Sequence, residues 1–269
     1  MSADRTPWPA SSPPDWQLPP GVPRSLWDYA HDVEIARSED QFLAEESLLQ
    51  FDRDFVRQAV PDRPGRAIDL GCGTGRFCRE LSDLGWDVAG VDLSPEALRV
   101  ARAACSDTCG RTQFFRGNLC ALDWLPDATF DVGLCLFGTL GMILGPQARQ
   151  AALQHARRVL KSGAPLLIHV HNRWRHFYHP QGRRWLLRDS VRQLSRSKTA
   201  GDTWHDYRQI PGVYHHVFSR SEILRLLRRT GFEPRSILPI HPDGNRSLSG
   251  AAWLVDWRAT GWLIHAIAT

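Results

Sequence analysis

Ala67-Ile68-Asp69-Leu70-Gly71-Cys72-Gly73-Thr74-Gly75-Arg76 is the stretch that decides how this chain folds. A short apolar run carrying one acid, Asp69, leads into glycines at alternate positions. Glycine lets a turn take positive φ and lets backbone approach a ligand with no Cβ in the way. A helix expected over Arg76 to Leu84 would then offer its unpaired N–H groups to a carboxylate. The pattern reads as strand (Arg66 to Leu70), tight turn, helix.

Outward from this turn the same rhythm repeats. Strands are expected at Asp87 to Asp92, Gln113 to Arg116, Phe130 to Leu136 and Leu166 to His171. Helices lie between them, at Pro95 to Ala104 with Ser94 as N-cap, and at Gln147 to Leu160 before Gly163-Ala164-Pro165. Alternation of this kind implies parallel strands joined by crossovers, hence an α/β doubly wound sheet. Leu166, Leu167, Ile168 and Val170 form the apolar run of a strand buried on both faces. Residues 172–217 read as an irregular insertion. A capped helix follows at Ser219 to Arg229, then a strand at Pro234 to Ile240 and a terminal strand at Trp262 to Ala268.

Upstream, prolines at 7, 9, 13, 14, 19, 20 and 23 mark residues 1–23 as a flexible extended leader. From Ser25 to Val60 the pattern is helical, with Leu26, Tyr29 and Val33, then Leu48, Phe51 and Phe55, three and four apart. One domain is expected over 24–269. The net charge of +4 and 42% apolar content call for no nucleic-acid partner by themselves. No apolar run is long enough to span a bilayer, and residues 1–23 have no secretory h-region. A soluble cytoplasmic protein with no membrane partner is therefore expected, its six cysteines reduced. Neither the cysteines nor His176, His179, His205, His215 and His216 have the spacing of a metal site, so no metal is expected.

The order Asp69-x-Gly71-x-Gly73-x-Gly75 resembles the first motif of the class I S-adenosylmethionine-dependent methyltransferases, and differs from the Gly-x-Gly-x-x-Gly of dinucleotide sites. Gly90-Val91-Asp92-Leu93-Ser94 is similar to that family's second motif. Gly117-Asn118-Leu119 stands where the family commonly has Gly-Asp, and Phe130 to Phe137 resembles its fourth strand. The resemblance implies a mostly parallel seven-stranded sheet with the last strand antiparallel, and S-adenosyl-L-methionine as cofactor. It implies a cofactor site of Asp69, Gly71, Cys72, Gly73, Thr74 and Gly75, with Asp92 on the ribose and Leu93 on the adenine. Asn118, Leu119, Leu136 and Phe137 complete it.

The acceptor is less legible. Transfer from a sulfonium needs alignment more than acid–base chemistry, so no catalytic residue comes with the motif. His171 lies at the carboxyl end of its strand, where ligands of open α/β sheets bind, and is the candidate base or positioning group. From Asn172 to Lys198 there are eight Arg or Lys against one acid, Asp189, with Trp174, Phe177, Tyr178 and Trp185 interleaved. That insertion reads as an acceptor lid. A small-molecule acceptor is expected. The alternatives are RNA, bound through Arg183, Arg184 and Arg188, and a non-catalytic partner protein that only binds the cofactor. Trp27, Asp28 and Tyr29 are placed on an N-terminal helix that closes over the site.

Overall fold

The apolar runs around the glycine turn pair as expected. The computed structural model describes residues 13–43, 47–195, 197–250 and 252–269. Strand β1 (Arg66–Leu70) pairs in parallel with β2 (Asp87–Asp92) on one side and β4 (Val132–Cys135) on the other. β3 (Thr112–Arg116) extends the sheet beyond β2, and β5 (Pro165–His171) beyond β4. The terminal strand β9 (Gly261–Ala268) inserts antiparallel between β5 and β8 (Phe232–Ile240), giving the order β3-β2-β1-β4-β5-β9-β8.

Residues of one strand alternate between two cores, one on each face of the sheet. Ile68, Leu70, Leu166 and Ile168 belong to the first, Ala67 and Leu167 to the second. Helices α4 (Arg76–Asp83), α5 (Pro95–Ala104), α7 (Pro146–Val159) and α9 (Arg220–Arg229) cover these faces, and a single helical turn, α6 (Thr139–Met142), follows β4. Ser94 caps α5 by accepting from Ala97 N, and Ser219 with Glu222 forms a capping box on α9.

The N-terminal segment forms α1 (Arg24–His31), α2 (Val33–Leu43) and α3 (Ser47–Ala59). Asp32 separates the first two and accepts from Ile35 N at 2.9 Å. This break turns Val33 to solvent, so Val33 does not share the face of Leu26 and Tyr29 that its spacing suggested. Helix α3 is pinned to the sheet from beneath: Asp52 Oδ2 meets His169 Nδ1 at 2.8 Å, both fully buried.

Two expectations are corrected here. The leader does not extend loosely to residue 23. From Pro13 on it is seated, with Asn118 Nδ2 donating to Pro20 O (2.9 Å), Leu144 N donating to Gly21 O (2.8 Å) and Val22 buried. Residues 1–12 lie outside the described residues. The insertion is not irregular either. It holds a 3-10 turn (Arg173–Tyr178), α8 (Pro180–Leu194) and a hairpin of β6 (Asp202–Tyr207) and β7 (Ile210–His216). Apolar residues lie on both sides of α8, which hid its period. The hairpin turns at Arg208 and Gln209, whose φ of 47° and 69° would normally call for Asn-Gly.

Candidate functional site

Gly71 N and Cys72 N both donate to Val91 O, at 2.8 and 3.1 Å, so the turn after β1 is hung on the end of β2. Gly71 has φ 85°, and a Cβ there would lie 2.4 Å from Thr139 Cγ2. Gly73 has φ 52° with open space before it. Asp92, closing β2, accepts from Gly73 N through Oδ2 and from Ser94 N through Oδ1, each at 2.8 Å. Each oxygen keeps a free lone pair.

These groups line one cavity of about 190 Å³ at the carboxyl ends of β1, β2 and β4. Asp69, Gly71, Cys72, Gly73 and Thr74 come from the glycine turn. Asp92 and Leu93 follow β2, Asn118 and Leu119 follow β3, and Leu136 and Phe137 follow β4. Gly75 does not reach the cavity. Its missing side chain makes room for Ala101 of α5, 2.8 Å from where a Cβ would stand, so helix packing requires a glycine there. Asn118 is partly committed, because Oδ1 already accepts from Cys120 N at 3.0 Å.

Asp69 is the electrostatic anomaly. It is buried, its nearest hydrogen-bond partner is the Cys78 thiol at 3.6 Å, and burial pushes its carboxyl up to about 7. Asp92 is also raised by burial, opposed by the N–H groups of Ser94 and Gly73. Two carboxylates facing one cavity fit a ligand that carries a cation at one end and neutral hydroxyls further along. The neighbouring thiols stay protonated, burial raising Cys72 to about 11.

The wall opposite the sheet comes from residues that carried no motif. Leu26, Tyr29 and Ala30 of α1, Ile35, Ala36 and Glu39 of α2, and Gly21 and Val22 of the leader all line it. Of the three residues placed on a closing helix, only Tyr29 touches the cavity; Trp27 is buried beneath and stacks on His31. Glu39 accepts from Tyr29 Oη at 3.3 Å and pairs with Arg208 of the hairpin tip at 2.6 Å. Asp40 takes Thr74 Oγ1 (2.6 Å) and Arg76 (2.8 Å), tying α2 to the glycine turn. The 3-4 spacing of α1 and α2 signals an amphipathic face, and nothing in it says that this face covers a cavity.

Phe137 holds a left-handed φ of 56°, a strained conformation for an aromatic residue. Its ring meets His169 edge-on at 6.2 Å and lies under the Arg76 guanidinium at 5.9 Å. His171 does not line the cavity. It lies behind Gly138, where a Cβ would stand 3.0 Å from its Nε2, in a run of rings from His169 through His171 to His215. Burial pushes the His171 imidazole well below its ordinary range. Among the described residues no group of three or more His, Cys, Asp or Glu gathers to hold a metal.

Residues 67–163 match the profile of a family described as a methyltransferase domain. A demethylmenaquinone methyltransferase from Tropheryma whipplei is 28% identical over 170 residues, 63% of this chain and 66% of that protein. The match thus spans less than two thirds of that relative's length. A solved S-adenosylmethionine-dependent methyltransferase from Methanosarcina mazei shares the fold with a TM-score of 0.62 at 23% identity, covering 79% of this chain and 96% of that one. So does the 1,6-didemethyltoxoflavin-N1-methyltransferase of Burkholderia thailandensis, solved with bound 1,6-didemethyltoxoflavin and S-adenosylhomocysteine. Its TM-score is 0.58 at 18% identity, over 91% of this chain and 88% of that one. With its glycine turn, the acid closing β2 and the antiparallel β9 between β5 and β8, the chain has the class I methyltransferase fold, and residues 67–163 of it carry the match to a methyltransferase domain.

Proposed function

We propose that this protein transfers a methyl group from S-adenosylmethionine to a small-molecule acceptor. The observation that carries the reading is the buried, uncompensated Asp69 facing Asp92 across a cavity roofed by the N-terminal helices. Asp69 would take the ammonium of the cofactor. Asp92 would accept from the ribose hydroxyls with its two free lone pairs, and Leu93 and Leu119 would pack on the adenine. Asn118 Oδ1 has one direction left for the adenine amino group. When bound, the cofactor supplies a methyl group already activated on a sulfonium.

The chain's own residues then exclude water and align the acceptor. Tyr29, Leu136 and Phe137 form the apolar edge nearest the insertion. His171, backing Gly138 together with His215, is a positioning residue for that edge. The hairpin acts as the acceptor-side lid, latched to α2 by Arg208 and Glu39. A small acceptor suits an enclosed cavity, and the names of two of the proteins it resembles give small molecules, demethylmenaquinone and 1,6-didemethyltoxoflavin. Arg183, Arg184 and Arg188 lie on α8 and not on the cavity wall. Six unpaired cysteines suit a cytoplasmic setting.

The test is calorimetry with S-adenosylmethionine and S-adenosylhomocysteine, followed by transfer of labelled methyl into fractionated cell extract. Binding of both, and label in a small-molecule fraction, are expected. No binding to well-folded protein would sink the reading, and binding without transfer to any fraction would leave a non-catalytic cofactor-binding protein. A His171→Ala variant should keep cofactor affinity and raise KM for the acceptor more than it lowers kcat; a kcat loss alone would restore His171 as a base.

A further inference from the structure

The outward side of α8 has no part in the cavity or the sheet. Gly182, Leu186 and Asp189 are its buried side, and Asp189 accepts from Arg173 and from Gly201 N, both at 2.7 Å. On the far side Leu187, Val191 and Leu194 are 73%, 66% and 86% exposed. Spaced four and three apart, they form one continuous aliphatic stripe. At about 100° per residue, Arg183 flanks this stripe on one side and Arg184, Arg188 and Arg192 on the other. Phe177, also exposed, lies just before α8 under the Arg183 guanidinium at 5.4 Å. Among the described residues, Arg184, Arg188 and Arg192 have no acidic partner.

A solvent-facing helix side normally carries polar residues, so an aliphatic ridge bordered by unpaired arginines points to an occupant. Leucine and valine do not stack on bases, so RNA would leave the ridge unused. A second copy of the chain would set one arginine row against another. A convex ridge of protruding side chains also suits a soft surface better than a pocket.

We propose that this side of α8 docks on an anionic lipid bilayer. Leu187, Val191, Leu194 and Phe177 enter the boundary between headgroups and acyl chains, and the flanking arginines pair with lipid phosphates. A helix lying in the interface needs no spanning run, so the lack of one does not oppose this docking. The insertion leaves the sheet at the carboxyl end of β5, the same edge that carries the cavity.

Flotation of the full chain with vesicles tests this. Phosphatidylcholine vesicles containing about one third phosphatidylglycerol should bind at least tenfold more tightly than phosphatidylcholine alone, with the difference lost in high salt. The variant L187S/V191S/L194S should lose vesicle binding about tenfold or more while calorimetry shows unchanged cofactor affinity. R184Q/R188Q/R192Q should lose the preference for anionic lipid. Wild-type protein that floats with neither vesicle, or a triple serine variant that floats as well as wild type, overturns the proposal. Two other outcomes also overturn it: RNA binding lost in the glutamine variant but not in the serine one, and a wild-type dimer that the serine variant dissolves.

Discussion

The glycine turn and the insertion both bury charged groups, and they treat them in opposite ways. Around the turn, Asp69 makes no ion pair among the described residues and Asp92 keeps free lone pairs on both oxygens. In the insertion the buried acids Asp189 and Asp202 are each met by partners. Asp202 accepts from Tyr214 Oη at 2.7 Å and pairs with His216 Nδ1 at 2.8 Å, while His216 Nε2 meets Glu222 at 2.8 Å. Arg149 donates to Tyr214 Oη (2.9 Å) and to the carbonyl of Ile143, which lines the cavity (3.0 Å). An uncompensated buried carboxylate marks where a ligand belongs. A compensated one marks where the chain holds itself together.

The sharpest way to break this contrast is Asp202→Ala. It strips the partner from Tyr214 and His216 at once and should cost about 3–5 kcal/mol. The thermal midpoint should drop by roughly 10 °C, with cofactor affinity changed less than about twofold. Burial alone would raise the Asp202 carboxyl, but the hydrogen bonds from His216 and Tyr214 outweigh it and hold it below its ordinary range. Its stabilisation is therefore present above the ordinary carboxylate range and lost as pH falls through the lowered value. Wild type and variant should converge in acid. A large loss of cofactor affinity would show that the two regions are not separate.

Asp92→Ala should do the reverse. Cofactor affinity should fall about a hundredfold, near 3 kcal/mol, for two lost charge-assisted hydrogen bonds. Apo stability should move by less than about 1 kcal/mol, since relief of a desolvated charge offsets the freed N–H groups. Calorimetry and thermal melts separate the two effects.

Asp69→Asn should remove affinity and add stability together. With its carboxyl raised to about 7 against the ordinary 3.8, the folded chain resists losing that proton. Stability from the protonated form is therefore full below the ordinary value and declines as pH rises towards 7. Asn cannot ionise, so the variant's advantage should grow from pH 4 to pH 7, reach about 1–3 kcal/mol, and stay level above. Wild-type cofactor affinity should rise about tenfold from pH 6 to pH 8 as Asp69 ionises, and the variant should show a flat profile. A parallel slope in the variant would assign the proton elsewhere.

The smallest effect lies at the hairpin tip. Gln209→Gly relieves a left-handed residue and should stabilise the protein by about 0.5–1 kcal/mol, with no change in cofactor affinity. At Gly71, by contrast, a side chain would meet Thr139, so the same exchange run backwards is not tolerated.

Legibility followed the same divide. Strand–turn–helix units are local, and their apolar periods and glycines stand in chain order, so β1, β2, α5 and β5 lie within a residue or so of where their sequence put them. Eleven of the twelve residues expected at the cofactor site line one cavity; Gly75 does not, and a glycine needed for packing looks the same in sequence as one needed for a ligand. Glu39, Ile35 and Val22 carried no signal, because their function depends on what α2 and the leader happen to cover. Residues 172–217 were unreadable for a further reason. α8 is apolar on two sides, β6 is polar where it is buried, and the hairpin turn has no glycine.

By itself, the sequence determined the strand–turn–helix units of the parallel half, the glycine turn, and the pair of acids at the ends of β1 and β2. These depend on backbone sterics and hydrophobic period, which act over a few residues. Only the tertiary structure decided that the leader and α2 roof the cavity, that His171 stands behind Gly138, and that buried acids in the insertion are paired while Asp69 makes no ion pair among the described residues. Those outcomes depend on contacts between residues far apart in the chain, and no local pattern records which partner a buried charge will meet.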